Sequence, residues 1–248
     1  NLTFDNPGEQ IKTGLADLTL QGGFILDNGT LSSTGGKVSF EKGAVQSGGG
    51  LDVSDSTLIL GDNYIKTAGT LTTTDDGTIL ELMDNLTVSS DSALYFNQLE
   101  LDNLTLTLGS ESTKLQISSA LILDNSNERV MTGAADLSLL AFQDISIGGV
   151  TSTGGTISLL AGGKLSGAGI LDVRGSTWGL GGVFEKSNGT LTISQTNLAL
   201  SGNSTLTSDE ALTSDEALSF VNLELNDNTL TLGSSTSDLT VQNAIIID

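Results

Sequence analysis

Residues 94–124 read LYFNQLELDNLTLTLGSESTKLQISSALILD, and residues 218–248 read LSFVNLELNDNTLTLGSSTSDLTVQNAIIID. The two stretches align without a gap at an offset of 124, and about half of their positions are identical. Inside each, apolar residues alternate with polar ones over short runs, as in Leu99-Glu100-Leu101 and Leu106-Thr107-Leu108. Alternation with period two is the signature of a strand with one buried face. Gly, Asn, Asp and Ser bound each run and supply the turns.

The likeness extends outward from these stretches. Thr13-Gly14-Leu15-Ala16-Asp17-Leu18 matches Thr132-Gly133-Ala134-Ala135-Asp136-Leu137, and Ser33-Thr34-Gly35-Gly36 matches Ser152-Thr153-Gly154-Gly155. Leu51-Asp52-Val53 matches Leu171-Asp172-Val173, and Gly69-Thr70-Leu71-Thr72 matches Gly189-Thr190-Leu191-Thr192. These earlier matches have a slightly smaller offset. Its cause is a Thr-Ser-Asp-Glu-Ala-Leu hexapeptide that occurs twice in succession, at 207–212 and 213–218. One of the two is expected to be a loop insertion. The chain is thus two copies of one repeat, 1–124 and 125–248.

A finer period lies within each copy. Leu18-Thr19-Leu20, Val38-Ser39-Phe40, Leu58-Ile59-Leu60, Ile79-Leu80-Glu81-Leu82 and Leu99-Glu100-Leu101 recur about every 20 residues. Leu51-Asp52-Val53, Leu86-Thr87-Val88 and Leu115-Gln116-Ile117 fall between them. Strands this short are not stable alone, and no stretch has helical periodicity. A turn of about 20 residues holding two or three strands can stack on the next at about 4.8 Å. The expected fold is all-β, a parallel β-solenoid (β-helix) with about six turns per copy. The two copies are expected to stack as one rod of about 57 Å on that spacing. Leu, Ile, Val and Phe should point inward, and Thr, Ser, Asp and Asn outward, with glycines at corners. The competing fold is a pair of antiparallel sandwiches, which usually carry a large aromatic anchor. Trp178 is the only Trp, and by sequence offset Ile59 stands at its place in the first copy.

Composition removes several kinds of chemistry. The chain has no cysteine and no histidine, so disulfides, thiol chemistry, serine–histidine catalysis and His- or Cys-ligated metals are excluded within it. It has 30 acidic and 9 basic residues, a net charge of −21. That argues against nucleic acid, whose phosphates need Lys and Arg, and against anionic membrane surfaces. No apolar run approaches the roughly 20 residues of a spanning helix, so membrane insertion is not expected. The chain begins at Asn1, so a signal peptide is expected to have been removed or to lie outside it. At the other end, Ala244-Ile245-Ile246-Ile247-Asp248 matches a segment that runs straight into the next repeat. A further copy is expected to follow.

Candidate chemistry is sparse. Asp172 with Arg174, or Asp52 with Asp55, could form the carboxylate clusters of a carbohydrate-cleaving β-helix. Ser54 stands where Arg174 stands in the second copy, however. Gly48-Gly49-Gly50-Leu51-Asp52 and Gly167-Ala168-Gly169-Ile170-Leu171-Asp172 are loose echoes of calcium-binding nonapeptides. Asp75-Asp76-Gly77 could join a hard-cation site or form a β-turn. Asn28-Gly29-Thr30, Asn85-Leu86-Thr87 and Asn188-Gly189-Thr190 fit the N-glycan acceptor pattern. Thr70-Leu71-Thr72-Thr73-Thr74 could form a flat ice-binding face or an ordinary solvated strand. None of these is assigned as a catalytic, cofactor or metal residue, and calcium stays open.

Gly29-Thr30-Leu31, Gly69-Thr70-Leu71 and Gly189-Thr190-Leu191, with Thr107-Leu108-Gly109-Ser110 and Thr231-Leu232-Gly233-Ser234, carry a resemblance. The chain resembles the repetitive β-solenoid regions of large secreted bacterial surface proteins, namely filamentous-haemagglutinin-like adhesins and autotransporter passengers. That resemblance implies export, a stiff extracellular stalk or filament and no catalytic residue. It also implies contact with a cell surface, matrix glycan or neighbouring filament. A separate reading is self-association into a fibre through solenoid ends or flanks. The alternative is a carbohydrate-binding or carbohydrate-cleaving β-helix.

Overall fold

The computed structural model describes residues 1–74, 77–208, 218–225, 229–232 and 239–247. Among them every regular element is a strand, and every strand pairing given in register is parallel. The chain is a parallel β-solenoid of about 11 turns of roughly 20 residues. It divides into two compact units, Asn1–Ile122 and Leu123–Asp248. Residues 209–217, which hold most of the duplicated hexapeptide, and Asp75, Asp76, Gly233, Ser234 and Asp248 lie outside the described residues.

In the first unit a turn crosses three faces. The first face holds Leu2–Phe4, Phe24–Leu26, Ala44–Gln46, Tyr64–Lys66, Leu86–Ser90 and Thr105–Leu108. The second holds Gln10–Gly14, Thr30–Ser33, Gly50–Asp52 and Thr70–Thr72. The third holds Leu18–Leu20, Lys37–Phe40, Thr57–Leu60, Ile79–Leu82, Ala93–Glu100 and Lys114–Ile122. The runs that recur every 20 residues in the sequence are therefore one sheet, the third face. Its inward column is Leu18, Val38, Leu58, Leu80, Leu99 and Leu121, each paired in register with the next.

The second unit repeats this layout. Its first face is Gln143–Ile145, Gly163–Leu165, Val183–Lys186, Ser204–Ser208 and Leu230–Leu232. Arg129–Gly133, Gly149–Ser152, Ile170–Arg174 and Thr190–Ser194 make the second. Asp136–Leu139, Thr156–Leu159, Thr177–Leu180, Asn197–Leu200, Leu218–Glu224 and Leu239–Ile246 make the third. Both units end in long strands with a matching irregularity, between Phe96 and Gln98 and between Phe220 and Asn222. The connection from the first-face strand to the next long strand holds residues 91–92 in the first unit and 209–217 in the second. The duplicated hexapeptide enters at that connection.

Three expectations need correction. First, Trp178 is the second residue of Thr177–Leu180, and the second residue of the matching Thr57–Leu60 is Leu58. Leu58, not Ile59, is the counterpart of Trp178. Both point inward, while Gly179 takes the place of Ile59. Trp178 is fully buried and packs edge-on against Phe184, with ring centroids 4.8 Å apart.

Second, on the first face of the first unit the inward set is not simply apolar. Ile25, Val45 and Ile65 are about 40% exposed and form an outward column. Their neighbours Gln46 and Lys66 are buried. Third, the hydroxyl residues are not all outward. Ser33, Ser56 and Thr78 are buried between the second and third faces, as are Ser152, Ser176 and Thr196 at the matching positions. Ser56 Oγ donates to Ser33 Oγ at 3.1 Å, and Ser152 and Ser176 hydroxyls lie 2.9 Å apart. Thr78 and Thr196 each donate to a carbonyl of the preceding turn, Val53 and Val173. A buried polar group is tolerated when it is paired, and these hydroxyls hydrogen-bond across adjacent turns.

Gln46 has a similar explanation. Tyr64 Oη donates to Gln46 Oε1 at 2.6 Å, and Gln46 Nε2 donates to the Thr70 carbonyl at 2.8 Å. Burial, reinforced by the charge of Asp91, pushes the Tyr64 phenol well above its ordinary pKa. In the second unit Phe184 stands for Tyr64 and Leu165 for Gln46, in the same register. The polar pair has been exchanged whole for an apolar one. Tyr64→Phe alone should destabilise the fold by about 1–3 kcal/mol, because Gln46 Oε1 loses its buried donor. Adding Gln46→Leu should recover most of that loss. Urea midpoints of the two single variants and the double variant measure the coupling.

Candidate functional site

The second face carries the residues singled out for carboxylate chemistry. A strand turns successive side chains to opposite faces, so Asp172 and Arg174 lie on the same side of Ile170–Arg174. Arg174 Nε donates to Asp172 Oδ1 at 2.7 Å, and its Nη2 donates to Asp172 Oδ2. The hydrogen bond and charge of Asp172 raise the guanidinium pKa, so the group stays a cation. Both carboxylate oxygens are thus engaged by one partner, in the bidentate geometry that Arg favours. Arg174 itself is largely exposed, whereas Asp172 is nearly buried.

In the first unit Asp52 occupies the matching place. Its Oδ1 accepts from the Ser54 amide at 3.1 Å and the Ser54 hydroxyl at 2.7 Å. Ser54 thus engages one Asp52 oxygen, where Arg174 engages both oxygens of Asp172. Asp55 is engaged elsewhere: its Oδ1 accepts from Thr74 Oγ1 at 2.8 Å, and its amide donates to the same oxygen at 3.1 Å. Asp52 and Asp55 are therefore held by separate hydroxyls. Glycoside hydrolysis needs two carboxyl groups facing one bond. The residues flanking Asp172 in its column are Thr151 and Thr192, and those flanking Asp52 are Ser32 and Thr72.

The other candidates fall at turns and corners. Among the described residues, no group of three or more acidic side chains is placed to hold a metal ion. Gly49, in one calcium-like echo, has φ +59°, and a Cβ there would lie 2.7 Å from the Gly29 carbonyl. Gly29 and Gly69 also have positive φ and adjoin the backbone of the preceding turn. The glycine run is a corner column. Thr70 and Thr72 are exposed, but their register partners are Gly50 and Asp52, so no regular threonine array continues along the face. Asn28, Asn85 and Asn188 are exposed. Asn85 Oδ1 also accepts the Thr105 amide at 2.7 Å, and Asn63 Oδ1 accepts the Thr87 amide at 2.7 Å. These asparagines tie one turn to the next.

Two features were not singled out from the sequence. A shallow groove of about 320 Å³ lies on the first face of the first unit, lined by Phe24, Ile25, Lys42, Ala44, Val45 and Asn63. The other is a buried lysine. Lys66 is 3% exposed, and its Nζ lies 2.5 Å from Asp91 Oδ1. Lys186, its counterpart, is equally buried and donates to the Asn188 carbonyl at 3.2 Å. Each ammonium is drawn to an oxygen at the corner where the first face ends.

The Lys66 hydrogen bond holds the Asp91 carboxyl below its ordinary pKa. A depressed folded pKa gives a contribution that is complete above about 3.9, the usual aspartate value, and is lost as pH falls through the folded value. Asp91→Asn should therefore lower the thermal midpoint at neutral pH. The gap to the parent should close as pH drops below about 4. Melting curves from pH 7 to pH 3 check this; a gap that does not narrow would remove the ion pair as its cause.

No protein-family model matches the chain, and no curated protein and no solved structure matches it either. The functional reading rests on the solenoid and on the chemistry of its side chains.

Proposed function

We propose that this chain is an extracellular structural or adhesive segment, a stiff stalk or fibre element of a large bacterial surface protein. One observation carries the reading. The side chains singled out as candidate chemistry, and the buried lysine, are engaged by partners within the solenoid: Asp172 by Arg174 and Asp52 by Ser54 within one turn, Asp55 by Thr74 and Lys66 by Asp91 across turns. A residue committed to its own fold in this way supports length and stiffness rather than turnover. Parallel stacking serves the same end, because extending a solenoid by one turn needs no new architecture. The strong negative charge keeps a long β protein soluble and apart from other acidic surfaces.

The second-face pair gives the direct test against a carbohydrate-binding or carbohydrate-cleaving β-helix. The purified chain should leave a broad glycan array blank and release no reducing sugar from polysaccharides. Arg174→Ala should leave the far-UV spectrum unchanged and the array equally blank. A saccharide bound by the parent and lost in Arg174→Ala would overturn the structural reading in favour of the carbohydrate one.

A further inference from the structure

Asparagine followed by glycine occurs twice in the chain, at Asn28-Gly29 and Asn188-Gly189. Both pairs sit at the corner between a first-face strand and a second-face strand, and both asparagines are exposed. Neither glycine can be replaced without a shift. A Cβ at Gly29 would lie 2.5 Å from the Glu9 carbonyl oxygen, and one at Gly189 would lie 2.6 Å from Leu165 Cγ. The fold therefore keeps glycine after each asparagine. Glycine has no side chain to obstruct its own amide nitrogen, so that nitrogen can approach Cγ of the asparagine before it.

The two corners differ around the peptide bond that joins the pair. Lys186 is 3% exposed, and its Nζ donates to the Asn188 carbonyl oxygen at 3.2 Å. That oxygen and the Gly189 nitrogen belong to one peptide group. A buried ammonium hydrogen-bonded to the oxygen favours the anionic form of the group. At the other corner Leu26 takes the place of Lys186, two residues before the asparagine. Asp27 precedes Asn28, whereas Ser187 precedes Asn188. The Asn28 side chain is also tied down, because its Nδ2 donates to the Asp5 carbonyl at 3.2 Å. One corner thus favours negative charge on its peptide group and the other opposes it.

We propose that Asn188 is a site of spontaneous deamidation, promoted by the Lys186 ammonium. Water or hydroxide takes the proton from Gly189 N–H. The nitrogen bonds to Asn188 Cγ, the Cγ–Nδ2 bond breaks, and Nδ2 leaves as ammonia with a proton from water. The product is a succinimide ring. Water opens the ring at either carbonyl and gives aspartate or isoaspartate. Water is consumed and ammonia released, and nothing is oxidised or reduced. Either product adds a negative charge to the corner. Isoaspartate also puts a methylene into the backbone just before Thr190, whose amide donates to the Gly169 carbonyl at 2.8 Å.

Peptide mass mapping of the folded chain, aged at neutral pH and body temperature, tests the proposal. Deamidated Asn188 should accumulate several-fold faster than deamidated Asn28, as aspartate and isoaspartate forms that chromatography separates. In concentrated urea that excess should shrink away, because only the fold holds the ammonium at the carbonyl. Lys186→Met should slow Asn188 to the rate of Asn28 and leave Asn28 unchanged. Trp178 emission and far-UV spectra report whether the variant is folded; if it is not, the parent with and without urea decides alone. Three results each overturn the proposal: an Asn188 that ages no faster than Asn28 in the folded chain, an excess that persists in urea, and a folded Lys186→Met with an undiminished rate.

Discussion

The structure depends on one repeated spacing. Each turn presents backbone N–H and C=O groups to the next at about 4.8 Å, and parallel pairing brings equivalent residues of successive turns together. Any side chain therefore meets its counterpart, not a random neighbour. The unit of stability is the column rather than the residue. Leu18, Val38, Leu58, Leu80, Leu99 and Leu121 illustrate the simplest case, an aliphatic column running the length of the first unit. Phe24 and Phe40 extend the principle across faces, with rings stacked at 5.1 Å.

Columns also explain how polar residues live inside. A buried donor finds its acceptor in an adjacent turn, because that is where the nearest unused groups are. Ser56 reaches Ser33, Thr78 reaches the Val53 carbonyl and Tyr64 reaches Gln46. The second unit keeps the hydroxyl ladder at Ser152, Ser176 and Thr196 but replaces Tyr64 and Gln46 by Phe184 and Leu165. A half-exchange would leave one group buried without a partner, which is the expensive outcome. Trp178 Nε1 is the one described buried side-chain atom without a hydrogen bond. Its indole fills a position where the first unit has Leu58, so packing against Phe184 and Phe220 is what it contributes.

Much of this was legible in the sequence. Period-two runs gave the strands, the spacing near 20 residues gave the turn, and the internal match at an offset of 124 gave the two copies. What escaped was which side faces in. In Tyr64-Ile65-Lys66 and Ala44-Val45-Gln46 the most apolar residue is the exposed one. Alternation fixes two sides but does not say which is the core. Corner residues such as Ser33 and Ser56 read as turn formers, and only the stacking of turns makes them internal. The candidate site was equally half-legible. Sequence placed Asp172 beside Arg174 and aligned Ser54 with Arg174, but only the structure shows that each partner donates to the aspartate two positions before it.

The same column rule explains how so acidic a chain can stack. Two like charges one turn apart repel by about 1 kcal/mol even in water-like surroundings. A column of carboxylates would accumulate that repulsion at every step. Asp52 instead lies between Ser32 and Thr72, and Asp172 between Thr151 and Thr192. On the first face of the second unit Asp144, Lys164 and Glu185 alternate in sign. Where Glu81 does face Glu100, Lys37 approaches Glu81 at 3.9 Å. The negative charge is thus diluted within columns and distributed among faces.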